Sequence, residues 1–188
     1  MSPVGTQTTA RFRNEPMSMR DSERDFNKRN RIPKQKRMLY FAYGSCMNLE
    51  DFHRTVPGAE AVGTAVLKNY RLAFTMYSHT RRGGVADIVP SKGSQVEGVL
   101  YELTPVEFEW LDSREGAPVF YRRKRVRVER QDGSVVWATT YEVTRKSVDE
   151  WQPSREYALI IWEGARVLSL AYRKMLKENL LKVRKVRS

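Results

Sequence analysis

The first stretch whose residues could do chemistry is LYFAYGSCMN, residues 39–48, in which an apolar and aromatic run stops at Gly44. The run is too short for a stable helix, and its aromatic residues favour a buried strand. Gly44 permits a positive φ and a close approach of a ligand to the backbone, and Ser45 adds a hydroxyl. Because the amphipathic segment LEDFHRTV follows, the loop joins a strand end to a helix start, where amides attract carboxylate or phosphate. The pattern predicts an anion site and leaves a plain turn open as the alternative.

Cys46 lies in the same stretch and is the single cysteine of the chain. A thiolate nucleophile would need a histidine base, and His53 and His79 are the two histidines. No local signature of a cysteine hydrolase surrounds Cys46, and a lone cysteine usually behaves as a small buried hydrophobic residue. The sequence therefore favours a buried thiol over a nucleophile. It also predicts no metal site, because these residues lack the spacing of paired metal ligands.

The second stretch is LDSREGAP, where two carboxylates, Asp112 and Glu115, lie near the end of a predicted helix. Most carboxylates on such a helix face water, but Glu115 directly precedes Gly116, a typical helix stop. The last turn exposes carbonyl groups, and the negative end of the helix dipole opposes ionisation there. We therefore expect the pKa of Glu115 to be raised, as a general acid or base near neutral pH requires.

The helices that position these residues have clear start signals. Thr104 is followed by a proline and, three residues on, by Glu107, which together predict a capping box and a helix that runs to Glu115. Ser154 and Ser169 are predicted N-caps of two C-terminal helices, REYALIIWEGARV and LAYRKMLKENLLKV.

About seven short strands are predicted between clusters of turn residues. One precedes Gly44, and Asp132-Gly133 connects two more as a hairpin. The other four are AEAVGTAVL, YRLAFTMY, VADIV and QVEGVLYEL. Because strands and helices do not alternate regularly and no repeat is visible, the predicted fold class is α+β and not a doubly wound sheet.

The net charge of +12 is unevenly distributed, since residues 1–37 contain 10 Lys and Arg against 4 Asp and Glu. That segment has no sustained apolar period, so it cannot bury enough surface to offset the cost of ordering. We predict a basic, disordered tail over residues 1–37 and a single domain over residues 38–188.

The location of the protein is predicted from what the sequence lacks. No run of about 18 apolar residues indicates a membrane span, and the N-terminus has no apolar signal core. Acidic residues in the tail argue against a mitochondrial presequence. A single cysteine cannot form an internal disulfide, which agrees with a reducing compartment. The sequence therefore predicts a cytoplasmic protein with no membrane partner.

The run YRRKRVRVER, residues 121–130, together with the basic tail suggests a nucleic-acid partner. In an extended strand, however, Arg123, Arg125 and Arg127 fall on one face and Lys124 falls on the other with two valines. A solvated strand face accounts for this pattern, and no nucleic-acid-binding fingerprint accompanies it. Nucleic-acid binding is therefore the weaker interpretation.

Five motifs occur in the order YFAYGSCM, GGVADIVPS, QVEGVLYEL, LDSREGAPVFYRR and PSREYALIIWEGAR. Together they resemble the γ-glutamylcyclotransferase-like family over residues 38–181. The specific feature is the combination of a YGS loop, a later LDxxEG segment and a PSxxY segment. The resemblance implies a compact mixed β-barrel flanked by helices. It also implies release of 5-oxoproline from γ-glutamyl amino acids or γ-glutamyl amines, without a cofactor.

The resemblance assigns the acid–base role to Glu115 by its position in the LDxxEG segment. It assigns substrate binding to seven residues: Tyr43, Gly44, Ser45, Cys46, Met47, Tyr121 and Tyr157. Family members commonly carry asparagine where this chain has Cys46. If that asparagine side chain binds substrate, a thiol replaces it poorly, whereas a role for the backbone N–H alone makes the change harmless. The departure bears on the choice of substrate more than on the reaction.

The implied reaction needs no nucleophile from the protein, because the substrate's α-amine attacks its own γ-carbonyl carbon. Two other classes of function stay open beside this enzyme. One is a noncatalytic ligand-binding or interaction domain of the same fold, and the other is a basic nucleic-acid-binding protein. The oligomeric state is also open, with a homodimer among the states that the sequence allows.

Overall fold

The computed structural model describes residues 36–181, in which the apolar runs of the sequence form the strands of a barrel. The strands are β1 (Met38–Ala42), β2 (Glu60–Ser78), β3 (Gly83–Leu103), β4 (Tyr121–Arg130) and β5 (Val135–Val143). The helices are α1 (Leu49–His53), α2 (Pro105–Glu115), α3 (Arg155–Gly164) and α4 (Leu170–Leu181). Two 3-10 turns, Ser45–Met47 and Ala165–Val167, precede α1 and follow α3.

The barrel closes in the strand order β1-β3-β2-β4-β5. Neighbouring strands are antiparallel except where β5 meets β1, a parallel contact in which Tyr40 lies opposite Thr139. Because β5 also pairs with β1, the described strands form a closed sheet. The predicted α+β barrel with flanking helices is confirmed.

The strand count is five and not the predicted seven, because two pairs of predicted strands are continuous. β2 spans both AEAVGTAVL and YRLAFTMY, and β3 spans both VADIV and QVEGVLYEL. The turn residues between them form a bulge in which Asn69 (φ 63°) and Gly93 (φ 79°) are left-handed, and the Gly93 N–H donates to Asn69 Oδ1 at 3.1 Å. The backbone bends there without reversing, and strand pairing resumes beyond the bulge.

The β4–β5 hairpin follows the predicted alternation. Asp132 and Gly133 lie in the connecting turn, with Gly133 at φ 81°. Val128 of β4 lies opposite Val136 of β5. Both valines of β4 are buried, and the arginines that alternate with them are exposed. The basic run is therefore a strand with one apolar and one charged face.

The start and end of α2 are those that the sequence predicts. The Glu107 N–H donates to Thr104 Oγ1 at 3.3 Å, and the Thr104 N–H donates to Glu107 Oε2 at 2.7 Å, which completes the capping box. Gly116 takes the left-handed conformation (φ 60°) that ends many helices. Because the helix ends there, Glu115 lies in its last turn.

An aromatic cluster fills the barrel where it meets α1 and α2. The rings of Phe52 and Tyr101 are 4.7 Å apart, and Tyr40 lies within about 6 Å of Phe52 and of Phe108. The Tyr101 hydroxyl donates to the Cys46 carbonyl at 3.1 Å. The cluster therefore fixes the 3-10 turn that follows β1 as well as the barrel core.

Parts of the domain prediction lie outside the described residues. The predicted tail falls there except for Lys36 and Arg37, as do residues 182–188 of the predicted domain. Within residues 36–181, no helix is long and apolar enough to cross a membrane.

α3 packs directly on the backbone of the 3-10 turn through Gly164. A Cβ on Gly164 would lie 2.4 Å from the Asn48 nitrogen and 2.5 Å from the Met47 carbonyl carbon, closer than real contacts allow. The φ of Gly164 is −63°, so any residue could adopt its backbone conformation. The requirement for glycine here is therefore one of space alone.

We expect Gly164→Ala to lower the free energy of unfolding by about 1–3 kcal/mol, because backbone must move to admit the methyl group. Urea unfolding followed by tryptophan fluorescence measures this change. Gly58→Ala is the matched control, since its Cβ would make only an ordinary 3.5 Å contact with Glu107. Equal stability of the Gly164→Ala and parent proteins would contradict this packing.

Candidate active site

A small polar cavity lies at the end of the barrel where β1, the first 3-10 turn and the end of α2 meet. It adjoins a cleft of about 620 Å³ that reaches the β2–β3 turn. Ser45, Glu115, Tyr121 and Tyr157 line both spaces. The full cavity lining is Tyr40, Tyr43, Gly44, Ser45, Cys46, Ala86, Glu115, Tyr121, Tyr141 and Tyr157.

Seven of the eight residues assigned from the family resemblance lie together in this lining. Met47 is the exception, because its side chain is buried in the core and is not part of the lining. The sequence did not indicate Tyr40, Ala86 or Tyr141. Nothing in the sequence distinguishes these three as site residues, since each is one of many apolar or aromatic residues in a strand.

Gly44 is needed in the loop for close packing and not for a positive φ. Its φ is −114°, so it does not use the left-handed conformation that glycine permits. A Cβ on Gly44 would lie 3.1 Å from the Ala86 Cβ and 3.7 Å from the Tyr157 hydroxyl. Any larger residue would therefore press on the strand that carries Ala86.

In the loop after Gly44, the first two N–H groups donate to no backbone carbonyl of the described residues. The Met47 N–H donates to the Gly44 carbonyl at 3.1 Å, and the Asn48 N–H donates to the Ser45 carbonyl at 3.0 Å. Among the described residues, no backbone carbonyl accepts from the N–H of Ser45 or of Cys46. These two groups begin the 3-10 turn, so they are the available donors of the predicted anion site.

Glu115 places a largely buried carboxyl between a thiol and an arginine. Its side chain is 18% exposed, its Oε1 accepts from Cys46 Sγ at 3.7 Å, and Arg114 Nε lies 4.0 Å from the same oxygen. Burial raises the pKa of Glu115, while the charge of Arg114, the Cys46 hydrogen bond and the charge of Arg81 oppose that rise. The direction agrees with the sequence-based expectation, but desolvation is its largest cause.

The Arg114 guanidinium is bound mainly by Asp51, so its charge offsets only part of the effect of burial on the pKa of Glu115. Nη2 of Arg114 pairs with the Asp51 carboxylate, and Nη1 donates to the Asp51 carbonyl at 3.0 Å and to Thr55 Oγ1 at 2.9 Å. Nη2 also lies 3.4 Å from Ser45 Oγ. The sequence analysis missed Arg114, although its position next to Glu115 was a signal.

Three tyrosines hold the backbone around the cavity. The Tyr121 hydroxyl donates to the Ala86 carbonyl at 2.8 Å, and the Ala86 N–H donates to the Tyr157 hydroxyl at 3.2 Å. The Tyr43 hydroxyl donates to the Tyr141 carbonyl at 2.6 Å. Burial raises the pKa of Tyr157 to about 12, so this hydroxyl keeps its proton at neutral pH. Since it accepts from Ala86, Tyr157 can still donate that proton to a ligand.

Cys46 is a protonated thiol and neither histidine activates it. Burial and the neighbouring Glu115 raise the pKa of Cys46 to about 12. His53 Nε2 is 2.9 Å from the Ala59 carbonyl, and the His79 ring packs edge-on against Tyr77. Within residues 36–181, no hydrogen bond joins a histidine to the thiol. This geometry opposes the thiolate–histidine interpretation.

Three basic residues of β4 pair with acidic residues other than Glu115. Arg122 and Lys124 pair with Glu142, and Arg123 makes two hydrogen bonds of 2.7–2.8 Å with Asp112. The guanidinium of Arg125 stacks on Trp137. The charge of this strand is therefore partly compensated, which weakens the nucleic-acid interpretation.

The fold and the site define a closed-barrel protein with a largely buried carboxyl group at the floor of a cleft. A family model described as "Gamma-glutamyl cyclotransferase, AIG2-like" matches residues 40–159 of this chain. The chain belongs to the γ-glutamylcyclotransferase family.

Proteins that are similar to this chain carry the name of the same family. Human γ-glutamylcyclotransferase is 33% identical over 152 residues, which cover 77% of this chain and 80% of the human protein. The putative γ-glutamylcyclotransferase YkqA of Bacillus subtilis is 33% identical over 165 residues, but this chain spans only 58% of it. A solved structure of a γ-glutamyl cyclotransferase matches with a TM-score of 0.72 at 32% identity, covering 76% of this chain and 87% of that one.

We expect the Cys46 thiol to react slowly with a disulfide reagent such as DTNB in the folded protein, because a buried thiol of high pKa forms little thiolate. The chain has one cysteine, so the absorbance change reports Cys46 alone. Unfolding in guanidinium chloride should restore the rate of a free cysteine. Rapid stoichiometric labelling of the folded protein at neutral pH would contradict this description of the thiol.

Proposed function

We propose that this protein is a γ-glutamylcyclotransferase that releases 5-oxoproline from γ-glutamyl compounds, with Glu115 as the general base and acid. The observation that carries the proposal is the carboxyl of Glu115, largely buried at the cleft floor close to the turn that holds the unpaired amides of Ser45 and Cys46. Such a site can bind a carboxylate and move a proton in one place. Family membership supports the same reaction.

The substrate fits the site only if most of it occupies the wide cleft. The small cavity is about 30 Å³, which is room for about one water molecule. The γ-glutamyl end would therefore lie at the shared floor, with its α-carboxylate on the N–H groups of Ser45 and Cys46. The Tyr157 hydroxyl would donate a hydrogen bond to the γ-carbonyl oxygen as negative charge develops there. The leaving group would extend into the cleft.

Glu115 would first accept a proton from the α-ammonium of the substrate. The freed amine attacks the γ-carbonyl carbon and forms the carbon–nitrogen bond of a five-membered ring. The bond from that carbon to the leaving nitrogen then breaks. Two protons in all leave the α-nitrogen and two reach the leaving nitrogen, so the products are a neutral lactam and an ammonium ion. In this pose both nitrogens would lie within hydrogen-bond reach of Glu115, so one carboxyl group would carry these protons in turn.

The first proton transfer is the step that most needs the environment of Glu115. Reference pKa values of about 4.3 for glutamate and 7.7–8.0 for an α-amine oppose the transfer by roughly 5 kcal/mol. Burial narrows that gap, because it raises the pKa of the carboxyl group. Holding the amine against the γ-carbonyl contributes further, since well-oriented intramolecular reactions gain up to about 7–11 kcal/mol.

Two other functions predict different behaviour at Glu115. A noncatalytic binding domain of the same fold would bind γ-glutamyl compounds without turnover, and a nucleic-acid-binding protein would not respond to changes at Glu115. Binding alone does not need a largely buried carboxyl group with a raised pKa, so Glu115 argues against a noncatalytic domain. The ion pairs of β4 argue against nucleic-acid binding.

We expect Glu115→Gln to lower turnover by about 10²-fold or more, because glutamine keeps the shape but cannot accept the proton. 5-Oxoproline released from a panel of γ-glutamyl amino acids and amines, detected by mass spectrometry, measures the effect. The melting temperature at pH 7 should stay the same or rise. The pKa of Glu115 is raised in the folded protein, so ionising this group lowers the free energy of unfolding as pH rises above the unfolded-state pKa of about 4.3. Glutamine does not ionise, so the variant avoids this loss of stability.

Glu109→Gln is the matched control, because Glu109 is exposed on the same helix and lines neither the cavity nor the cleft. Asp112 is unsuitable for this purpose, since it accepts from the Tyr141 hydroxyl at 2.6 Å and pairs with Arg123. Turnover by Glu115→Gln near the parent rate would mean that another group is the base.

A further inference from the structure

One edge of β3 beside the cavity is held by side chains. Among the described residues, β1 pairs with β3 only at residues 99–103, so the edge at residues 86–88 lies beyond that pairing. There the Ala86 C=O accepts from the Tyr121 hydroxyl at 2.8 Å, and the Ala86 N–H donates to the Tyr157 hydroxyl at 3.2 Å. Two tyrosines of the site are therefore bonded to a strand edge that needs support of its own.

Asp87 and Lys146 support the same edge. Asp87 is fully buried, and its Oδ1 accepts from the Ile88 N–H at 2.8 Å and from the Val143 N–H at 2.9 Å. Its Oδ2 accepts from Thr75 Oγ1 at 2.6 Å and from Lys146 Nζ at 2.5 Å. Lys146 Nζ also donates to the Ile88 C=O at 3.3 Å. One carboxylate therefore joins β2, β3, β5 and the segment that follows β5.

Asp87 bridges two strands that are not neighbours in the barrel. On the closing side of the barrel, β1 lies between β3 and β5, but β1 has only five residues. Beyond its end, the carboxylate of Asp87 bonds to Val143, the last residue of β5. The backbone beside Lys146 is also fixed, because the Ser147 N–H donates to the Thr75 carbonyl at 2.7 Å. The buried ion pair therefore supports the edge where β1 does not reach.

We propose that Asp87, paired with Lys146, is a positioning residue for the reaction, because it fixes the edge of β3 to which the Tyr157 hydroxyl is bonded. The inference rests on the proposed function, in which this hydroxyl donates to the γ-carbonyl oxygen. Ala86 directly precedes Asp87, so a shift of the edge displaces the N–H that meets the hydroxyl. Asp87 lies in neither the cavity lining nor the cleft lining, so it acts without touching the substrate.

The kinetic constants of Asp87→Ala test the proposal. This change removes the bonds to Lys146 and to the Val143 N–H, so the edge loses its link to β5. Loss of one oxyanion donor lowers kcat by about 10²–10³, and a displaced donor costs less. We expect kcat to fall by about 10-fold with little change in KM, because the N–H groups proposed to bind the α-carboxylate lie on another element. Release of 5-oxoproline from the most active compound of the γ-glutamyl panel measures both constants.

Conservative variants separate the bonds from the side chains that make them. Asp87→Asn keeps the Oδ1 acceptor for the Val143 N–H and should recover most of the parent kcat. Lys146→Met removes the donor to the Ile88 C=O from a side chain that is 29% exposed, and it should also lower kcat without changing KM. Lys146→Arg keeps a donor and a positive charge, so it should retain the parent kcat.

A double-mutant cycle shows whether Asp87 acts through Tyr157. Tyr157→Phe lacks the hydroxyl that the edge positions, so adding Asp87→Ala to this variant should lower kcat little further. If Asp87 only stabilises the fold, its loss has the same effect on kcat with and without the hydroxyl. That result would overturn the inference.

Two control variants separate positioning from stability and charge. Leu176→Ala removes a buried side chain of α4 that lies in neither lining, so it should lower the melting temperature and leave kcat unchanged. Lys68→Met breaks the exposed ion pair with Glu129 and should change neither constant. Melting curves establish that each variant is folded at the assay temperature.

A parent kcat in folded Asp87→Ala would overturn the inference, while 5-oxoproline from the parent protein still supported the proposed function. If Asp87→Ala does not fold, a parent kcat in Lys146→Met overturns it instead. Absence of 5-oxoproline from every compound of the panel with the parent protein would overturn the proposed function and the inference together.

Discussion

The ion pair between Arg114 and Asp51 is the interaction on which the site depends. An arginine next to a buried glutamate would ordinarily hold its carboxylate charged and lower its pKa. Here Asp51 and Thr55 take the guanidinium donors, and Arg114 Nε stays 4.0 Å from Glu115. Burial therefore outweighs the nearby positive charge and raises the pKa of the carboxyl group above its ordinary value. The pair also joins the end of α2 to α1, which fixes where that carboxyl lies.

The rest of the fold holds the backbone around this carboxyl group. The capping box and Gly116 determine where α2 begins and ends, and so place Glu115 in its last turn. Gly164 lets α3 contact the 3-10 turn directly, and the Tyr101 hydroxyl holds the same turn from the barrel side. Because packed elements support the turn on two sides, its amides need no large rearrangement to bind an anion, and preorganised donors bind more strongly than mobile ones.

Much of this arrangement could be predicted from the sequence, because its causes are local. Helix caps, the alternation of β4 and the position of Glu115 depend on residues a few positions apart. The continuity of β2 and β3 could not be predicted, since the Asn69 and Gly93 that resemble a turn pair with each other across 24 positions. The pairing of Arg114 with Asp51 could not be predicted either, since the two residues lie 63 positions apart. The family resemblance supplied the residues that spacing alone could not join.

The most direct test is a measurement of the pKa of Glu115 itself. A pH titration of ¹³C-labelled glutamate carboxyl resonances, with Glu115 assigned from its absence in Glu115→Gln, reports that value in the free protein. If burial dominates, the pKa lies above the ordinary glutamate value of about 4.3, and the acidic limb of kcat/KM falls at the same pH. A carboxyl that titrates at or below the ordinary value, with the kinetic limb elsewhere, would contradict the role of Glu115 as the base.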